Sequence, residues 1–198
     1  MQHYFINKEH KESDFFEFQD EVIGLNLNFK SCDSIFSKNK IDDGTRTLLE
    51  TIYDQMSLSG HCLDLGCGLG VIAISLMKKY DISFDMVDIN ETAVKLSKEN
   101  LKKNSVDANV FVSDGFEKIS NSYDYVITNP PIKTGKTKLF ELLKGAYEHL
   151  NQNGELVLVI RKDHGMESTK KFLMETFKNA EILKRNKGYY ILKSVKNT

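Results

Sequence analysis

Leu63-Asp64-Leu65-Gly66-Cys67-Gly68-Leu69-Gly70 is the stretch whose reading decides the rest of the chain. A short apolar run precedes it, and Val71-Ile72-Ala73-Ile74-Ser75-Leu76-Met77 after it can form a helix. Strand, glycine turn, helix is the nucleotide-binding layout of α/β proteins. Glycines at 66, 68 and 70 give G-x-G-x-G, and Val71 stands where the dinucleotide fingerprint G-x-G-x-x-G has its third glycine. Close glycines let a ligand approach the backbone with no Cβ in the way. Asp64, at the end of the strand, suits a cationic ligand better than a pyrophosphate. The plain alternative is a tight strand-to-helix turn with no ligand.

Outward from this turn the chain alternates between strand and helix patterns. Upstream, Phe15–Gln19 and Val22–Phe29 read as a hairpin turning at Asp20-Glu21, with Ile23, Leu25, Leu27 and Phe29 on one face. A polar loop follows, and Asp42 or Asp43 can cap a helix whose apolar stripe is Leu48, Leu49, Ile52, Tyr53 and Met56. Downstream, Ser83–Asp88, Asn109–Val112, Tyr123–Thr128 and Glu155–Ile160 read as strands. Helices are expected over Glu91–Asn104 and Thr137–Leu150 and around Phe172–Phe177, with a short turn and helix near Phe116–Ile119. Two last strands, near Ala180–Lys184 and Tyr189–Lys193, flank the hairpin signal Asn186-Lys187-Gly188. The expected fold is α/β: a Rossmann-like, seven-stranded, mostly parallel sheet with the last strand antiparallel, helices on both faces, and a small N-terminal β-hairpin extension. The expected division is 1–40 for the extension and 41–198 for the main domain.

Bulk properties narrow the class. A length of 198 residues suits one α/β domain with a full core. No apolar run approaches 18 residues, and Met1-Gln2-His3-Tyr4 does not open a signal peptide, so the cytoplasm is the expected location. Cys32, Cys62 and Cys67 have no C-x-x-C spacing, which argues against a disulfide framework and a zinc site; no metal is expected. Residues 1–60 hold 6 Lys+Arg against 11 Asp+Glu, whereas the remainder holds 21 against 17. That mild basic bias allows an RNA partner without requiring one.

Ligands of open parallel sheets bind at the carboxyl ends of the strands. Four such ends carry polar residues: Asp64, Asp88, Asp114 and Asn129. Asp64 can receive an ammonium group, directly or through water. Asp88 can accept both hydroxyls of a ribose. Asp114 can accept from an adenine amino group, with Phe116 or a nearby apolar side chain against the ring. S-adenosylmethionine (SAM) has ammonium, sulfonium, ribose and adenine, and no phosphate, so it is the expected cofactor. Singly, each acid reads equally well as a cap or turn residue.

Asn129-Pro130-Pro131-Ile132 is the most specific signal. A proline pair after a strand can simply start a loop. It also fixes the backbone, because Pro131 biases Pro130 toward an extended conformation. The Asn129 side-chain oxygen and the Pro130 carbonyl can then point into one space, and two acceptors suit an NH2 donor. An exocyclic amine is a poor nucleophile because its lone pair is delocalised. Two acceptors draw the nitrogen toward tetrahedral geometry and support the positive charge that grows as it attacks a methyl group.

Together, Asp64-x-Gly66-x-Gly68-x-Gly70, Asp88, Asp114 and Asn129-Pro130-Pro131 resemble class I SAM-dependent methyltransferases that modify planar amino groups. Ile35-Phe36-Ser37, Asp42-x-Gly44-Thr45-x-x-Leu48-Leu49 and Lys187-Gly188-Tyr189-Tyr190 narrow the resemblance to the "methyltransferase small" family. Within it, the chain is most similar to the catalytic half of bacterial 16S rRNA guanine-N2 methyltransferases and their short single-domain relatives. The resemblance implies Asn129 and Pro130 as catalytic residues, and Asp64, Gly66, Gly68, Gly70, Asp88 and Asp114 as cofactor-binding residues. It implies Phe36, Pro131, Ile132 and Lys133 as substrate-binding residues, with the Phe36–Thr45 loop over cofactor and target. It implies methylation of guanine N2 in 16S rRNA, with RNA or the small subunit as partner and a monomer or weak dimer as the working form. Ile132 departs from the aromatic residue common after Asn-Pro-Pro, and the longer enzymes' amino-terminal domain has no counterpart. Lys133, Lys136, Lys138, Arg161 and Lys162 can form a basic rim for phosphates or an ordinary solvated surface. Methylation of adenine N6 or a protein glutamine, a SAM-binding module without turnover, and a nicotinamide oxidoreductase are the alternatives.

Overall fold

The structure, a computed structural model, describes residues 11, 14–33, 35, 39–131 and 135–197. Phe36, Ile132 and Lys133 lie outside the described residues.

Nine strands and five helices follow one another among them. The first two strands, β1 (Phe15–Val22) and β2 (Leu25–Cys32), form a separate antiparallel hairpin. The main unit runs α1 (Asp43–Gln55), β3 (Gly60–Leu65), α2 (Val71–Met77), β4 (Ile82–Asp88), α3 (Glu91–Lys103), β5 (Asn109–Val112) and β6 (Tyr123–Thr128). It continues with α4 (Lys136–His149), β7 (Leu150–Arg161), α5 (Met166–Phe177), β8 (Glu181–Asn186) and β9 (Tyr189–Val195). The seven-stranded sheet has the order β5-β4-β3-β6-β7-β9-β8. Strands β3 to β7 pair in parallel, and β9 runs antiparallel to both of its neighbours. The expected fold class therefore holds. The chain enters at β3, winds outward to β5, then returns to β6 beside β3. Between β3 and β6 the strand order reverses, and this is where such sheets open a crevice.

The period-2 alternation of the buried strands divides the core between the two faces of the sheet. In β7, Leu156, Leu158 and Ile160 face α4 and α5, while Val157 and Val159 face the side of α1 and α2. Helix α1 starts where Asp42 accepts from Thr45 N at 2.9 Å. It buries Leu48, Leu49 and Ile52, each worth about 1.5–3 kcal/mol. Tyr53, expected in that stripe, is 47% exposed, with the Lys79 ammonium over its ring.

The hairpin lies against α3, and side-chain amides make the join. Asn104 exchanges hydrogen bonds with the backbone of Asn28 (3.0 and 2.8 Å), and Asn100 does the same with Lys30 (2.7 and 3.1 Å). These bonds satisfy part of the open edge of β2. Asn100 Nδ2 also donates to Leu69 O at 3.0 Å, inside the glycine turn.

Three local expectations need correction. The hairpin turns at Ile23-Gly24, not at Asp20-Glu21, and both turn residues have positive φ, which matches the twist of a two-residue loop. Asp20 instead accepts from Ile41 N (2.7 Å) and pairs with Arg46 (2.8 Å), tying β1 to the approach to α1. Residues Phe116–Ile119 form a turn and no helix. Strand β7 begins at Leu150, five residues before the expected Glu155, because Tyr123 pairs with Leu150 ahead of a register shift.

Asp85 is a buried carboxylate away from the expected site. It accepts from Tyr123 OH (2.8 Å), Asn121 Nδ2 (3.0 Å) and Asn109 Nδ2 (3.3 Å), with His61 Nε2 at 3.6 Å. Burial pushes its pKa up, but these hydrogen bonds and the His61 charge outweigh burial and leave it below the ordinary aspartate value.

Candidate active site

The site begins where β3 ends. Gly66 N and Cys67 N both donate to Val87 O at 2.9 Å, which binds the turn to β4. Gly66 and Gly68 have φ of 75° and 54°, and a Cβ on either would meet nothing within 4 Å. Their missing side chains face open space, as a surface built for a ligand requires. Gly70 differs: it is the left-handed N-cap of α2, and a Cβ there would lie 2.8 Å from Met86 Cε.

Two buried acids lie beneath this turn. Asp64 is fully buried; Oδ2 accepts from Ala73 N at 3.3 Å, and Oδ1 has no hydrogen-bond partner among the described residues. Burial raises its pKa to about 7, the Ala73 N–H lowers it, and the nearby Asp88 charge adds to the rise. Asp88, 4% exposed, accepts from Gly68 N and Asn90 N, each at 2.9 Å. Burial raises its pKa as well, against the pull of backbone N–H groups. No Lys or Arg ion pair involves either acid among the described residues. Where Asp64 is ionised, above about pH 7, the turn carries negative charge that no Lys or Arg offsets among the described residues, and a ligand with ammonium and sulfonium groups suits it better than a pyrophosphate. Because Asp64 is covered, its charge acts across the turn or through a bridging water in this conformation, without direct contact.

Asp114 follows β5, and its Oδ1 is held by Lys138 Nζ at 2.8 Å. An adenine amino group arriving there would share this carboxylate with Lys138. The Phe116 ring stacks on His149 at 4.6 Å, and a Cβ added at Gly145 of α4 would lie 2.4 Å from it, so Phe116 packs against α4.

At the reversal point β6 ends beside β3, and Thr128 Oγ1 donates to Leu65 O at 2.7 Å. That bond places Asn129-Pro130-Pro131 next to the glycine turn. Asn129 Nδ2 donates to Thr45 Oγ1 at 2.9 Å and to Asp42 Oδ1 at 3.2 Å. Both amide donors are thus used at the start of α1, and Oδ1 has no partner among the described residues. Among the described residues no group of three or more His, Cys, Asp or Glu could hold a metal ion.

Residues 26–193 match the family model described as "Methyltransferase small domain". The chain belongs to this family. The uncharacterised protein YbxB of Bacillus subtilis is 33% identical over 199 residues, covering 98% of each chain. A ribosomal RNA small subunit methyltransferase C of Aliivibrio fischeri is 38% identical over 151 residues, which are 73% of this chain and 43% of that one. The chain thus spans less than half of that enzyme. Among solved structures, the 16S rRNA N2 methyltransferase (RsmC) of T. thermophilus, in complex with AdoMet and guanosine, superposes with a TM-score of 0.85 at 23% identity. That superposition covers 92% of this chain and 51% of the other, and it supports the fold.

Seen as a family member, the chain brings together segments that its sequence keeps far apart. Asp42, Gly44 and Thr45 at the head of α1 meet Asn129 after β6 and Tyr189 of β9, whose ring presses on Gly44. Arg161 lies over the Tyr189 ring at 5.5 Å and pairs with Asp163 at 3.0 Å. The bond that Asn129 donates to Thr45 has no local signal; the motif holding Thr45 is visible in the sequence, but its partner lies 84 residues away. Of the expected basic rim, Lys138 is paired with Asp114, Lys136 lies over the Phe140 ring and Lys162 is exposed. No helix among the described residues is long and apolar enough to cross a membrane.

Proposed function

We propose that this protein is a SAM-dependent N-methyltransferase whose target is the guanine N2 amine of small-subunit rRNA. The observation that carries this reading is the position of Asn129-Pro130-Pro131 at the strand-order reversal, tied by Thr128 to the mouth of a glycine turn with buried negative charge. When bound, SAM supplies a sulfonium-activated methyl group. Asp64 and the glycines are proposed to hold its methionine part, Asp64 by charge, with Asp88 at the ribose and Asp114 at the adenine. Asn129 Oδ1 and the Pro130 carbonyl accept the two amine hydrogens and orient the nitrogen. An amide accepts without removing a proton early, so the proton leaves to water once the nitrogen carries the methyl group. A guanine within a duplex must first be flipped out, at roughly a few kcal/mol. Pro131, Ile132, Lys133 and Phe36 are proposed to meet the base and its flanks, with Lys136, Arg161 and Lys162 near phosphates. The proposed division keeps 1–40 as an extension to a 41–198 catalytic domain, acting in the cytoplasm as a monomer or weak dimer. The small subunit methyltransferase C relatives support rRNA as the substrate class.

The test is transfer of labelled methyl from SAM to undermethylated small ribosomal subunits, free rRNA and a protein extract in parallel, with Asn129→Ala as control. Label recovered as N2-methylguanosine and absent with Asn129→Ala is the expected result. Label in protein or in adenine overturns the guanine assignment and keeps the amine chemistry. Cofactor binding without transfer to any acceptor overturns the enzymatic reading.

A further inference from the structure

The geometry assigns to Asp42 and Thr45 the role of positioning residues that hold the Asn129 amide with its oxygen toward the substrate amine. The assignment rests on the reading of Asn129 given above.

A side-chain amide has two nearly equivalent orientations about its last torsion. Only one of them is useful here. With the oxygen outward Asn129 accepts from an amine, and with the NH2 outward two donors face each other. The protein must therefore break this symmetry, and the contacts at the head of α1 do so. Nδ2 donates to Thr45 Oγ1 at 2.9 Å and Asp42 Oδ1 at 3.2 Å. An ionised carboxylate only accepts, so a flipped amide would set oxygen against oxygen at Asp42. The Thr45 hydroxyl alone could adapt to either orientation; Asp42 decides.

Both acceptors are themselves fixed. Asp42 Oδ1 also accepts from Thr45 N at 2.9 Å as the N-cap of α1, and Thr45 is 6% exposed. Gly44 leaves no slack between them. A Cβ there would lie 2.9 Å from Tyr189 Cε1 and 3.1 Å from Asp42 Oδ1. The Tyr189 ring closes over the helix start from β9, and the Arg161 guanidinium covers that ring. Asp42-x-Gly44-Thr45 thus divides one task among three residues: a carboxylate that sets the amide orientation, a gap that admits the tyrosine, and a hydroxyl that completes the clamp. The helix cap and the amine-orienting group become one device.

Thr45→Val is the decisive variant, because it keeps the shape and the backbone N–H that Asp42 caps and removes only the acceptor. Thr45→Ser restores the hydroxyl. Asp42→Ser keeps a capping oxygen for Thr45 N but is too short to reach the amide. The measurements are kcat and KM for methyl transfer, S-adenosylhomocysteine affinity by calorimetry, and solvent exchange of the Asn129 side-chain NH2 by NMR. For Thr45→Val, kcat should fall roughly tenfold to a hundredfold with cofactor affinity within about twofold of wild type. The Asn129 NH2 should exchange faster, and Thr45→Ser should reverse both effects. Asp42→Ser should lose at least as much. An active wild-type protein whose Thr45→Val and Asp42→Ser variants both keep their kcat overturns the positioning role alone. So does a loss that Thr45→Ser does not repair, or one that follows cofactor affinity. A wild-type protein inert toward RNA and protein, with Asn129 exchange still governed by Thr45, overturns the functional reading and reduces the clamp to a tie between α1 and β6.

Discussion

Replacing Asp64 by Asn should make the ligand-free protein more stable at pH 8 while weakening its hold on the cofactor. Full burial, with the Asp88 charge adding to it, pushes the pKa of the folded carboxyl up to about 7 from the ordinary aspartate value of 3.8. At about 1.4 kcal/mol for each pH unit between those values, the ionised side chain costs about 4 kcal/mol at pH 8. The Asn oxygen can keep the bond from Ala73 N, but its NH2 takes the place of Oδ1, which has no partner among the described residues, at roughly 1–3 kcal/mol. The net gain is about 2 kcal/mol, or roughly 4–8 °C in a domain of this size. The sign with pH follows from linkage. The folded state holds the proton more tightly, so the stability that Asp64 contributes is complete below about pH 4 and lost as pH rises toward 7. The advantage of Asn should therefore shrink to near zero at about pH 5. Thermal unfolding of both proteins from pH 5 to pH 8, without ligand, tests this. S-adenosylhomocysteine affinity at pH 8 should drop about tenfold, measured by calorimetry. A stability gap equal at both pH values, or a less stable variant at pH 8, would refute the buried-charge argument.

Asn129→Asp places a second carboxylate where Nδ2 now meets Asp42 Oδ1 at 3.2 Å, and should abolish methyl transfer in a labelled-methyl assay with S-adenosylhomocysteine binding retained. Tyr123→Phe removes a 2.8 Å bond to buried Asp85 and should cost about 1–2 kcal/mol in urea unfolding at pH 7. Because the folded Asp85 pKa lies below the ordinary value, the stability it contributes is present above about pH 4 and lost in acid, so wild type and Tyr123→Phe should converge as pH falls below 4. Gly145→Ala would ordinarily favour a helix, yet its Cβ falls 2.4 Å from Phe116 Cδ2; the melting temperature should drop by an amount equivalent to about 1–3 kcal/mol.

The glycine turn, the acids at the ends of β3 and β4 and after β5, and the Asn-Pro-Pro after β6 were legible from the order of local strand, turn and helix patterns, and the acids only as a set, since singly each reads equally well as a cap or turn residue. The hairpin signal at Asn186-Lys187-Gly188 was read well for the same reason: Lys187 and Gly188 have positive φ of 46° and 83°. The misplaced first hairpin shows the limit. Asp20-Glu21 looks like turn chemistry, but the Asp20 carboxylate is committed to Ile41 N and Arg46, a long-range use that no local rule contains. The packing of Phe116 is hidden from local rules in the same way, since the space that takes its ring is made by Gly145, 29 residues later in the chain. At the site, the residue types were visible and the Asn129 amide orientation was not, because Asp42 and Thr45 reach it only through the packing of α1 against the sheet.

Asn100 touches two things at once: the backbone of Lys30 in the hairpin and the carbonyl of Leu69 in the glycine turn. The hairpin is consequently no detachable ornament. Its position reaches the loop that must shape itself around a ligand through the Asn100 side chain and through Leu69, which packs with Cys32, Phe15 and Phe18. Trimming the chain back to Ile41 would free Asn100 to rotate and would slacken that loop without altering any of its glycines. Traffic in the other direction follows by reciprocity: whatever tightens the loop should steady the hairpin, so occupancy of the crevice would be legible as slowed amide exchange at Asn28 and Lys30.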